Sequence, residues 1–181
     1  QQIIQHIIQQ INNLPFYPLH VLELCSGAGL LAEQLLRSLP RADYTGIDFL
    51  QSMVDAAQER LAGFGSRVTL FQADLNADEW VASLAARGEQ GKFHAIISMQ
   101  SLHDLGGEPE VSRIYQLAQS LLASGGLFLN ADLIVRPGEE LPDNPGRRSI
   151  PRHLELLQAH GYKQVQNTLE SGGFGCVVGF H

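Results

Sequence analysis

The chain is predicted to be a doubly wound α/β domain: a mostly parallel sheet with helices on both faces, closed by an antiparallel hairpin. Three observations predict it. Short apolar runs alternate with helical segments through most of the length, the pattern of parallel strands covered on both sides. The stretch from Val21 to Leu36 passes from an apolar run, through a turn with Gly27 and Gly29, into a helix carrying Leu30, Leu31, Leu35 and Leu36. Near the end, segments 163–169 and 174–180 read as strands joined through Ser171-Gly172-Gly173, a loop short enough to force antiparallel pairing.

Each element follows from local pattern. Residues 1–14 carry Ile3, Ile4, Ile7, Ile8 and Ile11 at helical spacing, with glutamines opposite, and stop before Pro15. This N-terminal amphipathic helix packs on the domain's own sheet or serves as a lid or interface, because the stripe would be too sticky to leave in water. Beyond the glycine turn, 43–47 is a second strand ending at Asp48, followed by a helix over 51–61. A third strand, 68–71, ends near Asp74-Leu75 and leads to a helix over 78–86. Segment 93–98 is a fourth strand and 108–122 its helix. The turn Ser124-Gly125-Gly126 opens a fifth strand over 127–133. The stretch 136–149, with Pro137, Pro142 and Pro145, is an irregular loop at the carboxyl edge of the sheet, a candidate substrate wall. A helix over 150–160 stops at Gly161.

Composition bounds the function. With 181 residues and 44% hydrophobic content, and no linker-like tract, the chain forms one domain, 1–181, around one substantial core. A net charge of −7 from 12 basic and 19 acidic residues argues against a nucleic-acid surface. Only Arg147 and Arg148 are adjacent among the basic residues. Cys25 and Cys176 have no paired spacing and no accompanying Cys/His cluster, so neither a disulfide framework nor a metal site is expected. A reducing, cytoplasmic setting fits. No apolar run approaches the roughly 20 residues of a membrane span, so no membrane partner is expected. Because it begins at Gln1 rather than Met, the chain reads as either an excised domain or a trimmed sequence.

The chemistry gathers on the glycine turn. Gly27-Ala28-Gly29-Leu30-Leu31-Ala32 satisfies the G-x-G-x-x-G/A fingerprint, and Asp48 lies about twenty residues on, where an acid meets a ribose. That pattern fits nicotinamide cofactors and S-adenosylmethionine alike. Glu23, inside the first strand, tips the balance: a buried carboxylate there needs a loop to organise or a cation to meet, and it would repel a pyrophosphate. Asp74-Leu75, placed to receive an adenine amino group, and the antiparallel tail point the same way.

From about Leu19 to His181 the chain resembles the class I S-adenosylmethionine-dependent methyltransferases. The resemblance implies a Rossmann-like, seven-stranded sheet of order 3-2-1-4-5-7-6 with the last strand antiparallel. It makes Glu23-Leu24-Cys25-Ser26-Gly27-Ala28-Gly29 the first cofactor motif, with Cys25 where the family usually has its first glycine. It assigns the ribose to Asp48, the adenosine surroundings to Phe49 and Met53, the adenine to Ala73-Asp74-Leu75, and the methionine end to Met99 and Gln100. It implies S-adenosylmethionine as cofactor, S-adenosylhomocysteine as product, and a small-molecule acceptor with an O-, N- or C-nucleophile. His103, in the loop after the fourth strand, resembles a histidine that many small-molecule methyltransferases carry. It either orients or deprotonates substrate, or it is a structural residue bonding backbone in a turn. Asp132 at the end of the fifth strand faces substrate or caps its loop. Cys25 itself reads as an inert small side chain.

Because a sulfonium methyl is already electrophilic, the protein's main task would be to hold a nucleophile in line about 3 to 3.5 Å away. Two other classes remain open on sequence: an NAD(P)-dependent oxidoreductase, and a catalytically inactive cofactor-binding domain with a regulatory or assembly role. The variable regions are short, which implies an open site or one completed by a homodimer mate or a larger parent chain.

Overall fold

In the computed structural model, which describes residues 1–77, 79–89, 92–139 and 146–181, the apolar runs become seven strands of one sheet. They are β1 (Leu19–Leu24), β2 (Ala42–Asp48), β3 (Val68–Gln72), β4 (Phe93–Met99), β5 (Leu122–Leu133), β6 (Lys163–Ser171) and β7 (Phe174–Phe180). Their order is β3-β2-β1-β4-β5-β7-β6. The first five run parallel, and β7 lies antiparallel to both β5 and β6. This is the doubly wound arrangement expected, with the crossover after β3 placing β1 and β4 side by side. Ligands of such sheets bind outside the carboxyl ends of the strands where the order reverses.

Among the described residues six α-helices cover the sheet: α1 (Gln2–Asn12), α2 (Leu30–Ser38), α3 (Gln51–Leu61), α4 (Glu79–Ala86), α5 (Glu108–Leu121) and α6 (Ile150–Ala159). Strand alternation divides the core between two faces. Val21 of β1, Ala95 and Ile97 of β4 and Leu127 and Leu129 of β5 pack with Leu31, Leu35 and Leu36 of α2, Leu61 of α3 and the isoleucines of α1. On the other face, Leu22, Leu24, Ile96 and Phe128 pack with Trp80 and Leu84 of α4, Ile114 and Tyr115 of α5, and Leu156 and Leu157 of α6.

The isoleucine stripe of α1 lies on the domain's own body. Ile7, Ile8 and Ile11 are buried, and Ile3 and Ile4 are partly buried against the same core. Burying three isoleucines contributes at most roughly 5 to 9 kcal/mol before chain entropy is charged against it. His6 Nε2 lies 2.9 Å from Thr168 Oγ1, tying the helix to β6.

The start of one strand differs from expectation by more than two residues. β5 begins at Leu122, so Ser124-Gly125-Gly126 lies within a strand rather than in a turn before it. The register slips there between Phe93 and Ala95, and Gly125 takes φ 75, so the glycines absorb an irregularity in the ladder instead of ending it. Short 3-10 turns also appear at Ala62–Arg67 and Leu102–Asp104. Asp78, expected to begin the fourth helix, and Pro142 and Pro145 of the expected substrate wall lie outside the described residues. Arg148, near the end of that loop, bridges Ile134 just before its start. No helix among the described residues is long and apolar enough to cross a membrane.

Candidate active site at the carboxyl edge of the sheet

The chain leaves β1 through three left-handed residues, Cys25 (φ 56), Gly27 (φ 52) and Gly29 (φ 76). Each glycine has its own reason. A Cβ on Gly27 would meet nothing within 4 Å, so its backbone faces open space, whereas one on Gly29 would come within 3.3 Å of Ala57 and Leu61. Gly27 is open toward a ligand and Gly29 lets α3 close on the turn. Cys25 holds the same conformation with a side chain, at a cost of about 1 to 2 kcal/mol. The turn thus keeps the shape a glycine would give it, even though Cys25 stands in the glycine's place.

Asp48 latches this turn. Its Oδ2 accepts the Gly27 N–H at 2.8 Å and its Oδ1 accepts the Leu50 N–H at 3.0 Å. Each carboxylate oxygen retains an acceptor site, so Asp48 can hold the loop and still receive hydroxyl donors. Arg60 of α3 steadies the turn from outside, donating from Nε to the Ala28 carbonyl at 2.8 Å.

Glu23 sits inside β1, 3% exposed. Its Oε2 accepts the Tyr44 hydroxyl at 2.6 Å. Burial, with a smaller push from Asp48, raises its pKa to about 8. Without a cation beside it, the Glu23 carboxyl therefore holds its proton more tightly than an ordinary carboxylate. Tyr44 was not among the sequence candidates, since an aromatic in a strand gives no sign that its hydroxyl is committed to a neighbour's carboxyl.

Beside the turn lies an apolar shelf open to water, formed by Phe49 (60% exposed), Leu50 (50%), Met53 (37%) and Leu30 (56%). Ala73 follows β3 and donates its N–H to the Asp48 carbonyl at 3.0 Å. Asp74 is exposed and accepts the Asn76 N–H at 2.8 Å. Leu75 is 3% exposed and belongs to the core, so what it offers at the site is backbone.

At the end of β4, Met99 packs at the margin of the first core. Gln100 is exposed and left-handed (φ 57), with its N–H given to the Ala131 carbonyl at 2.8 Å. Three residues on, His103 Nδ1 lies 2.6 Å from Asp132 Oδ1, and Asp132 Oδ2 accepts the His103 backbone N–H at 3.1 Å. Asp132 also accepts the Leu133 N–H at 2.8 Å, so it caps the loop and aims the imidazole at once. A neutral ring that gives Nδ1–H to this carboxylate has its lone pair on Nε2, whereas the doubly protonated ring can also donate Nε2–H to exposed Asp104, 3.3 Å away. Burial raises the pKa of Asp132, and His103 partly offsets this. The expectation that a structural His103 would bond backbone is not met: its ring partner is a carboxylate.

Cys25 shows that these groups converge. Burial lifts its thiol to about 12, and Asp48, Glu23 and Asp132 all push it further the same way. The ends of β1, β2 and β5 therefore face one space around a protonated, unreactive thiol. Among the described residues no group of three or more His, Cys, Asp or Glu side chains is placed to hold a metal ion.

The mixed sheet thus carries a latched glycine turn and a carboxylate-held histidine at its carboxyl edge. The family model described as "Methyltransferase domain" matches residues 21–126, and the chain belongs to that family. The ubiquinone/menaquinone biosynthesis C-methyltransferase UbiE of Desulfotalea psychrophila is 47% identical over 45 residues, covering 25% of this chain and 18% of that protein. A putative O-methyltransferase from Nostoc punctiforme superposes with a TM-score of 0.79 at 18% identity, over 99% of this chain and 56% of that one. Human N-acetylserotonin methyltransferase in complex with SAM gives a TM-score of 0.70 at 16% identity, over 99% and 55%. The chain thus spans about half the length of these solved structures.

Proposed function

We propose that the chain binds S-adenosylmethionine at the Gly27 turn and transfers its methyl group to a small-molecule acceptor by in-line displacement. The observation that carries this is the turn itself: open space over Gly27, an Asp48 carboxylate with acceptor sites to spare, and the exposed Phe49–Met53 shelf beside it. Asp48 would take the ribose hydroxyls, Phe49 and Met53 would flank the adenosine, and Ala73-Asp74-Leu75 would meet the adenine. Met99, Gln100, Cys25, Ala28 and Glu23 would line the methionine end. Bound there, the cofactor supplies a sulfonium methyl whose loss leaves neutral S-adenosylhomocysteine.

His103 supplies the remaining chemistry. Its Nε2 takes the proton of an acceptor hydroxyl, phenol or acidic carbon as the new bond to the methyl forms, while Asp132 holds Nδ1–H and balances the imidazolium. Asp104, whose side chain is 79% exposed, is free to swing off Nε2 into water. Such a base contributes roughly 10²- to 10⁴-fold. We read the acceptor side as completed by a second copy or by a longer parent chain, since this chain spans only about half of its structural relatives. The acidic surface and free thiols suit a cytoplasmic small-molecule enzyme without a nucleic-acid or membrane partner.

Calorimetric titration tests the reading. S-adenosylmethionine and S-adenosylhomocysteine should both bind, and NAD should give no response. NAD binding with silence toward S-adenosylhomocysteine would overturn it. Binding without methyl transfer to any acceptor in a small-molecule panel would favour the inactive cofactor-binding domain.

A further inference from the structure

Glu23 and Gly46 lie side by side in the β1–β2 ladder. Tyr44, two residues before Gly46 and on the same face, reaches across it to the Glu23 carboxyl. Gly46 makes this reach possible: a Cβ there would lie 2.8 Å from the Tyr44 hydroxyl oxygen and 2.7 Å from Leu70 Cδ2. The phenol is 2% exposed and the carboxyl 3%, so water cannot substitute for either partner. The ionisable groups acting on Glu23 are Tyr44 and Asp48 from β2, and its charge in turn acts on the thiol of Cys25. Among the described residues all of these are acids, and none is a cation.

Resting on the function proposed above, we infer that Tyr44 is a positioning residue which fixes the Glu23 carboxyl and governs its ionisation, so that uptake of the cofactor's ammonium is coupled to release of the Glu23 proton. In the ligand-free chain the protonated carboxyl leaves its other oxygen to accept the Tyr44 O–H. When an ammonium arrives, the carboxyl proton departs to solvent, and the same O–H bond becomes a charge-assisted one to a carboxylate. Deprotonation is therefore easier with the phenol than without it. The site presents a neutral wall to solvent cations and becomes anionic only when a ligand able to reach Glu23 draws the proton off.

The test uses the full chain as wild type, Tyr44→Phe and Glu23→Gln, titrated with S-adenosylhomocysteine in buffers of different ionisation enthalpy. Ligand-free melting is followed over the same pH range. At pH 7 the wild type should release a proton on binding, since burial pushes the Glu23 carboxyl up to about 8 in the ligand-free chain, and Glu23→Gln should release none from this position. Wild-type affinity should rise with pH up to about 8. Tyr44→Phe should bind about tenfold weaker or worse at pH 7, and its affinity should keep rising to higher pH, because a hydrogen bond to the charged form is lost. A tyrosine that only packs would lower the melting temperature of Tyr44→Phe and leave proton release and the pH slope as they were.

Binding without proton release, or Tyr44→Phe matching the wild type in affinity and pH slope, overturns the inference. Failure of S-adenosylhomocysteine to bind at all counts against the proposed function instead, and the ligand-free melts then decide. A buried neutral acid costs stability as pH rises from about 4.5 to 8, so the wild type should lose ground to Glu23→Gln over that range. Parallel melting curves for the two sink the inference.

Discussion

Asp48→Ala removes the latch between the first two strand ends, and its effect on stability follows from the two bonds it breaks. The carboxylate accepts the N–H groups of Gly27 and Leu50 at 2.8 and 3.0 Å. A hydrogen bond to a charged group contributes roughly 1.5 to 3 kcal/mol. Both bonds are only part-buried, so water can reach the freed N–H groups and the lower figure applies, giving a loss of about 3 kcal/mol. For a domain of this size, 1 kcal/mol moves the melting point by roughly 2 to 4 °C, so the variant should melt about 6 to 12 °C lower. Urea unfolding should show a lower midpoint with an unchanged slope, because the surface exposed on unfolding is the same. S-adenosylhomocysteine affinity should fall at least about tenfold as well, each lost ribose bond adding to the loosening of the turn. A melting point within a degree or two of the wild type would refute the latch. Normal affinity in a destabilised variant would place the ribose elsewhere.

Three further outcomes are expected. Cys25→Gly should stabilise the chain by about 0.5 to 1 kcal/mol in urea, the left-handed strain relieved exceeding the extra freedom glycine gives the unfolded chain; a loss of stability would show that the cysteine side chain contributes more by packing than it costs. His153 is buried against the Tyr115 hydroxyl at 2.7 Å and its pKa is pushed down to about 4, first by burial and then by Arg148; because the unfolded histidine binds a proton below about pH 6.5 and the folded one does not, up to about 3 kcal/mol of stability should drain away as pH falls from 6.5 toward 4. His153→Asn should flatten that limb, and an unchanged limb would assign it to other groups. His103→Ala should lower turnover roughly 10²-fold with S-adenosylhomocysteine affinity nearly constant, and Asp132→Asn should follow it in turnover while also destabilising the loop; full turnover in either would return the pair to a purely structural role.

Much of the fold was legible because its elements obey local rules. The helix expected over about 51–61 matches α3, because Asp48 ends the strand before it and its apolar positions run to Leu61. The start of β5 was misread because glycine pairs usually mark turns, and only the neighbouring strand reveals that Gly125 sits in a ladder irregularity. The glycine turn, Asp48 and the exposed Phe49 and Met53 are legible for the same local reason: they lie on a single strand-turn-helix and on the strand and helix next to it. What the sequence could not display were pairings made by topology. His103 and Asp132 stand 29 positions apart and meet because β4 and β5 are neighbours. Tyr44 and Glu23, 21 apart, meet because Gly46 leaves a gap whose purpose is invisible until both strands are in register.

The hairpin order has a consequence during synthesis. β7 is made after β6 yet sits between β6 and β5, so the edge of β5 through Leu127, Leu129 and Leu133 has no partner until Phe174 to Phe180 have been made. At about 5 to 20 residues per second, the 41 positions from Leu133 to Phe174 take roughly 2 to 8 s. Throughout that interval a nascent chain offers an apolar strand edge to any other chain with a free one. Crowded polysomes are thus where this domain is most exposed to mispairing, and slowing translation between residues 134 and 173 should raise its insoluble fraction even though the finished domain is unchanged.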